Sequence, residues 1–271
     1  LCGRLGAVVA VESEQEFELS GVTVRFRFTG HTDRGAVRRI NEDSYLAAAP
    51  VFVVADGMGG HAFGDRASQA AIAAFADRFE AGTPARPKDV LDAIAAANGA
   101  VRSLSDAAEG SLSGTTLTGV ALVDVGGSEN VHWMAFNVGD SRTYSWDGRS
   151  LVQLSVDHSA VQELVDKGLI TRGEAGRHPN RNVVTRALGA EAEVDPDIWL
   201  LPARARQTFL LCSDGLTKEL DDDEISRIIV FHDAESARPG DALPLTLAER
   251  LVNAAIAAGG SDNVTVVVVD V

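Results

Sequence analysis

The chain has 271 residues, enough for one sizeable domain or two small ones, and its 45% hydrophobic content predicts a buried core. Its 39 acidic against 24 basic residues leave a net charge of −15. That balance weighs against nucleic acid and anionic membrane surfaces as partners, because both demand clustered Lys and Arg.

Cys2 and Cys212 are too few and too differently placed for a disulfide framework or a thiolate metal site. Cys212, in the apolar run FLLCSDG, reads as a buried, inert thiol. No stretch approaches the length of a membrane-spanning helix. Leu1 in place of Met suggests a fragment or a processed form, and LCGRLGAVVAV is too short for a signal peptide. The expectation is a cytoplasmic monomer, with an N-terminal arm over residues 1–21 and one catalytic domain over 22–271.

In chain order, Val22, Val24, Phe26 and Phe28 alternate with Thr23, Arg25 and Arg27, the period of a half-buried strand. Asp43 to Ala48 and Val51 to Ala55 read as strands, the second running into Asp56-Gly57. Two helices follow. Ala71, Phe75 and Phe79 mark the first; Val90, Ile94, Ala97, Val101 and Leu104 mark the second, with Pro87 near its start. Strands return at Thr115 to Val125, Val131 to Val138, Arg142 to Trp146 and Leu151 to Ser155, with Asp147-Gly148 as a hairpin turn. A helical insert spans about His158 to Arg177. Strands around Asp197 to Leu201 and Thr208 to Ser213 precede a helix opened by Asp221, Asp222, Asp223 and Glu224, where negative charge favours the N-terminus. The last helix carries Leu247, Leu251, Ala254 and Ala258 and stops at Gly259-Gly260, before a closing strand from Val264 to Val269. The order lacks strict βαβ alternation. It predicts an α+β fold of two mainly antiparallel sheets with helices on their outer faces.

Five segments place carboxylates beside glycine, serine or asparagine at strand ends: NED at 41–43, DGMGG at 56–60, GDS at 139–141, SDG at 213–215 and SDN at 261–263. Singly, each is an ordinary turn. Gathered at one edge of a sandwich, the aspartates would form an all-oxygen site suited to Mg²⁺ or Mn²⁺ and not to zinc. Glycine after Asp56 and Asp214 would permit tight turns and close backbone approach.

In order, TDRGAVRRINEDS (32–44), VVADGMGGH (53–61), GTTLTGVAL (114–122), NVGDSRTY (137–144), LSVDHSAVQELVDKGLI (154–170), NVVTRALG (182–189), LLCSDGLTKEL (210–220) and GGSDNVTVVVV (259–269) resemble the metal-dependent protein phosphatases. These are the PPM or type 2C serine/threonine phosphatases, here of bacterial type, and the resemblance runs from about Thr23 to the C-terminus. It implies a four-layer αββα sandwich with a mobile flap over about 157–190. It further implies that Asp56 bridges two Mn²⁺ or Mg²⁺ ions, with the Gly57 carbonyl completing one site and Asp214 and Asp262 holding the other. Glu42 and Asp43 would orient metal-bound waters. Asp140 with Asp214 matches a third, weaker ion site, and Arg38 matches the arginine that clamps substrate phosphate.

The expected reaction is direct hydrolysis of phosphoserine or phosphothreonine in proteins, by a hydroxide bridging two metals that share Asp56. A cysteinyl route is disfavoured, because Lys218 stands six residues after Cys212 where arginine is needed, and no DxDxT motif supports an aspartyl-phosphate. Met58 follows the DG dipeptide where many eukaryotic members carry a histidine, which leaves the leaving-group proton to a metal-bound water first and to His61 as the second candidate general acid. His158 and His178 bracket the insert and are candidates for positioning it, while Trp133, Trp146 and Trp199 read as packing residues. The chief alternative, an inactive phosphoprotein-binding pseudophosphatase, is opposed by the presence of Asp56, Asp214 and Asp262. A two-metal nuclease is opposed by the acidic charge. The implied partners are phosphorylated proteins and a serine/threonine kinase whose targets the enzyme would reverse.

Overall fold

The computed structural model describes residues 13–19, 22–59, 63–76, 78–79, 82–107, 113–126, 131–203, 207–236 and 245–271. One sheet has the order β1 (Ser13–Leu19), β2 (Val22–Asp33), β12 (Val264–Asp270), β11 (Thr208–Cys212), β8 (Arg142–Trp146) and β9 (Leu151–Gln153). The other runs β10 (Asp197–Pro202), β7 (Val131–Val138), β6 (Leu117–Asp124), β4 (Val51–Gly59) and β3 (Asp43–Ala48), with β5 (Ser113–Thr115) paired to the end of β4. The pairings within the strands are antiparallel, as the sequence order implies.

Alternation of side chains assigns each strand two faces. From β4, Phe52 and Val54 point between the sheets, where they meet Phe26, Phe28, Trp133, Phe209, Leu211 and Val267. Val51, Val53 and Ala55 point outward, against α1 (Gly64–Ala76) and α2 (Pro87–Ala107). On the far side, Leu210, Cys212, Val266 and Val268 of the first sheet pack against α5 (Asp214–Glu219), α6 (Asp222–Ser236) and α7 (Leu247–Ala258). The result is the expected αββα stack. Trp133 and Trp146 are buried and Trp199 packs at the edge of the central core, so all three tryptophans serve packing. Cys212 is fully buried, and burial pushes its thiol up to about 12, which makes it inert at neutral pH.

Several boundaries differ from the sequence reading. The segment expected as an N-terminal arm supplies β1, paired with β2 from Ser13↔Phe28 to Leu19↔Val22. The first helix stops at Ala76, so Phe79 lies beyond it, although its ring still stacks on Phe75 at 6.3 Å. The expected strand over 115–125 is split, because Thr115 pairs with β4 and the chain resumes as β6 at Leu117. The insert resolves into two short helices, α3 (Ala160–Asp166) and α4 (Arg172–Ala175), capped by Ser159 and Thr171. No residue of either helix is buried, so caps rather than core packing hold their ends. Among the described residues no helix is long and apolar enough to cross a membrane.

The returning arm of the insert is anchored to the body by Asn98, on α2. Its Nδ2 donates to the carbonyls of Glu191 and Ala192 at 3.1 and 3.2 Å, and its Oδ1 accepts from Gly189 N–H at 2.7 Å. Asn98 is 2% exposed, so no water replaces it. Asn98→Ala is expected to cost about 2 kcal/mol or more by orphaning these groups, read as a lowered urea midpoint at unchanged slope.

Candidate active site

The candidate residues gather at one end of the sandwich, on two connections that cross between the sheets and on the segments flanking α5 and β12. Arg38 and Glu42 lie in the β2–β3 connection, Asp140 in the β7–β8 connection, Asp214 at the β11–α5 junction and Asp262 in the loop before β12. With Asp56 and Gly57 of β4, they line a cleft of about 1200 Å³. Asp43 is buried behind them. His61 lies outside the described residues.

Strand register sets the innermost pair. Asp43 is the cross-strand partner of Asp56, and Asp56 shares the inward face of Phe52 and Val54. The inner layer thus changes from apolar to ionisable within two residues. Asp43 Oδ2 accepts from Ser213 Oγ and Thr265 Oγ1, each at 2.7 Å, and so ties the two sheets together. The Asp56 backbone is equally constrained. Its carbonyl accepts from Thr116 N–H and Thr115 Oγ1, both at 2.9 Å, and its N–H donates to Thr116 Oγ1 at 3.0 Å.

Glycine is required beside both aspartates for close approach, since neither Gly57 nor Gly215 has a positive φ. A Cβ at Gly57 would strike the carbonyls of Gly64 and Glu42, and one at Gly215 would strike the carbonyl of Asn263. The Gly57 N–H donates to the Glu42 carbonyl at 3.1 Å, which couples NED to DGMGG.

Burial, then mutual repulsion, dominates the electrostatics. Asp43 and Asp140 are each raised to about 7, by desolvation first and then by Asp214. Desolvation and neighbouring Asp43, Asp214 and Asp140 drive Asp56 well above its ordinary value, and Asp214 is raised by burial despite Lys218. Asp262 behaves oppositely: burial pushes it up, but hydrogen bonds and charge from Lys218, with Arg38, hold it below the usual range. The Arg38 guanidinium grips Asp262 bidentately, Nε to Oδ1 at 2.8 Å and Nη2 to Oδ2 at 2.9 Å.

The donor chemistry fits hard divalent cations. Every candidate side-chain ligand is a carboxylate, and the Oδ1 atoms of Asp43 and Asp214 are buried without a hydrogen-bond partner. As placed, however, no three His, Cys, Asp or Glu side chains among the described residues converge tightly enough to enclose an ion. The two orphaned oxygens mark acceptor capacity that the protein's own donors leave unused.

Two residues that the sequence reading left out prove central. Asn263 is 5% exposed; its Oδ1 accepts from Glu42 N–H, and its Nδ2 donates to the carbonyls of Arg34 and Ile40, all at 2.9 Å. It therefore holds the loop that presents Arg38 and Glu42. The only sequence signal was its place after Asp262. Lys218 donates from Nζ to Asp214 Oδ2 at 2.5 Å and to Asp262 Oδ2 at 2.7 Å, and its position one turn after Asp214 was the available clue.

Of the bracketing histidines, His158 is buried. Its Nδ1 accepts from Gly139 N–H at 3.0 Å, and its Nε2 faces Asp197 Oδ2 at 3.2 Å and Arg186 at 3.1 Å. It links the loop of Asp140 to the returning arm of the insert. His178 only caps a local turn, accepting from Asn180 N–H. Arg142 also lines the cleft, but its guanidinium is held by both oxygens of Asp157, with the closest approach 2.7 Å.

Since Asp43 and Asp140 bind protons more tightly folded than unfolded, their contribution to stability is present at low pH and is lost as pH rises from about 4 toward 7. In EDTA, the melting temperature is expected to fall across that window. Asp43→Asn and Asp140→Asn should each flatten the fall; an unchanged slope in both variants would refute the assignment.

The family model for protein phosphatase 2C matches residues 29–251. The chain is 40% identical over 256 residues to the serine/threonine protein phosphatase PstP of Mycobacterium tuberculosis, covering 93% of this chain and 46% of that protein. It thus spans about half the length of that relative. It is 35% identical over 252 residues to the serine/threonine phosphatase stp of Listeria monocytogenes, covering 88% of this chain and 93% of that one. A solved structure of the PstP catalytic domain in complex with two manganese ions superposes with a TM-score of 0.74 at 36% identity, covering 90% and 97% of the two chains. This chain belongs to the protein phosphatase 2C family.

Proposed function

We propose that the chain is a metal-dependent phosphatase of phosphoserine and phosphothreonine proteins. The observation that carries this reading is the buried carboxylate cluster at the sandwich end, with two unpartnered oxygens, in a chain of this family. Asp56 would be shared by two ions, with the Gly57 carbonyl serving one and Asp214 and Asp262 the other. Asp140 with Asp214 would hold a third. Bound Mn²⁺ or Mg²⁺ supplies Lewis acidity and a low-pKa water for direct hydrolysis.

The chain's own residues do the rest. Asp43, fastened to Ser213 and Thr265, steadies Asp56 from behind. Glu42 orients solvent at the mouth. Arg38 offers a planar, two-pronged donor to the phosphate and exchanges its Asp262 contacts for substrate oxygens as it does so. His61 is the candidate donor of the leaving-group proton. Arg172 and Arg181 of the flap line the mouth on one side and Asp221, Asp222 and Asp223 on another, a surface that suits an extended phosphopeptide better than a small ester. We assign the protein to the cytoplasm, as a monomer that opposes a serine/threonine kinase.

Turnover of p-nitrophenyl phosphate and of a phosphothreonine peptide is expected with Mn²⁺ and not with chelator. Asp56→Ala and Asp214→Ala should each lower kcat/KM at least about a thousandfold. Full rates in either variant would sink the site. Arg38→Ala should lower kcat/KM roughly 10- to 100-fold. Asn263→Ala should move KM more than kcat, because it loosens the loop that carries Arg38 and Glu42 while Asp56, Asp140 and Asp214 sit on other segments.

A further inference from the structure

Lys218 sits one helical turn after Asp214, on α5, and its side chain is 29% exposed. Its Nζ contacts Oδ2 of Asp214 at 2.5 Å and Oδ2 of Asp262 at 2.7 Å. These two carboxylates come from segments far apart in sequence, the β11–α5 junction and the loop before β12. They are also the pair assigned above to one ion. The ammonium lies between one oxygen of each carboxylate in that pair.

We infer that Lys218 is a tethered counter-ion of the Asp214–Asp262 pair, which a divalent cation must displace in order to bind, and that it thereby sets the metal affinity of the site. The inference rests on the proposed role of Asp214 and Asp262 as metal ligands. A dication and an ammonium within a few ångströms repel strongly at the dielectric of a half-buried cleft. They cannot both occupy the same Oδ2 atoms. Lysine suits this role, being a compact charge on a flexible four-carbon stem that can withdraw into the open cleft. Arg38 is differently placed. It shares Asp262 Oδ2 with Lys218 and also holds Oδ1, but it does not span the pair to Asp214, and its side chain is 48% exposed. In the absence of a divalent ion, Lys218 offsets the repulsion between Asp214 and Asp262, so one side chain both supports the fold and opposes metal binding.

Isothermal titration with MnCl₂ on the full chain tests this without recourse to turnover. Lys218→Met keeps the stem and removes the charge, and Lys218→Gln gives a second answer should the first variant not fold. Each is expected to bind Mn²⁺ at least about tenfold more tightly than the parent. In EDTA, each should melt about 2 °C or more below it. Affinity within about twofold of the parent, or weaker, would overturn the inference while leaving the metal site intact. A parent chain that binds no Mn²⁺ would instead remove the metal assignment and this inference together.

Discussion

Asp43 and Asp56 face each other across the β3–β4 ladder, so the pairing that builds the central sheet also presses two carboxylates together at its buried end. Asp140 arrives beside them from the β7–β8 crossing and Asp214 from the end of β11, and Asp214 raises the proton affinity of Asp43, Asp56 and Asp140. Like charges at such depth are costly unless something compensates them. Much of the molecule's polar architecture answers that one constraint. Ser213 and Thr265 donate to Asp43, Lys218 spans Asp214 and Asp262, and Arg38 closes on Asp262 from outside. Oδ1 of Asp43 and Oδ1 of Asp214 stay unanswered, acceptor capacity that the protein's own donors leave unused.

The four-layer fold makes this arrangement affordable by isolating it. Apolar residues fill the space between the sheets along most of their length, with Trp133 against Phe209 and Phe26, and the ionisable layer begins only where β4 passes Val54. Hydroxyl pairs bridge the boundary: Thr118 with Thr143 at 2.8 Å, then Thr116 with Ser141 at 2.7 Å. The flap is joined to the same end. Leu188 pairs with Thr115, whose hydroxyl holds the Asp56 carbonyl, and His158 holds Gly139 beside Asp140. The base of the insert is therefore tied to the backbone of two candidate ligands.

Most of the fold was legible because its strands alternate and its helices repeat. Val51 to Ala55 reads as a continuous apolar run, as a strand covered on both faces must. What escaped the reading has common causes. Glu14 and Glu16 of the edge strand β1 are exposed, and its pairing with β2 reveals it. β5 is three residues long, below what periodicity can detect. The helical pattern through Phe79 outlasted the helix itself, because a residue beyond the last turn can still pack on the face that the helix began. Among the site residues, the aspartates carried a local signal, glycine or serine beside a carboxylate at a strand end. Asn263 and Lys218 carried only their places, directly after Asp262 and one turn after Asp214, and residues so placed are ordinary on any surface.

The sequence by itself determined the layer order and the run of carboxylates beside glycine, serine or asparagine at strand ends, because each follows from residue type and spacing along the chain. Tertiary structure alone decided which carboxylates meet. It paired Asp43 with Asp56 through strand register, and it placed Asp262 within reach of Lys218 and Arg38 across more than forty residues of chain in one case and more than two hundred in the other. Charge compensation acts over a few ångströms of space, and no local pattern in a sequence encodes distances of that kind.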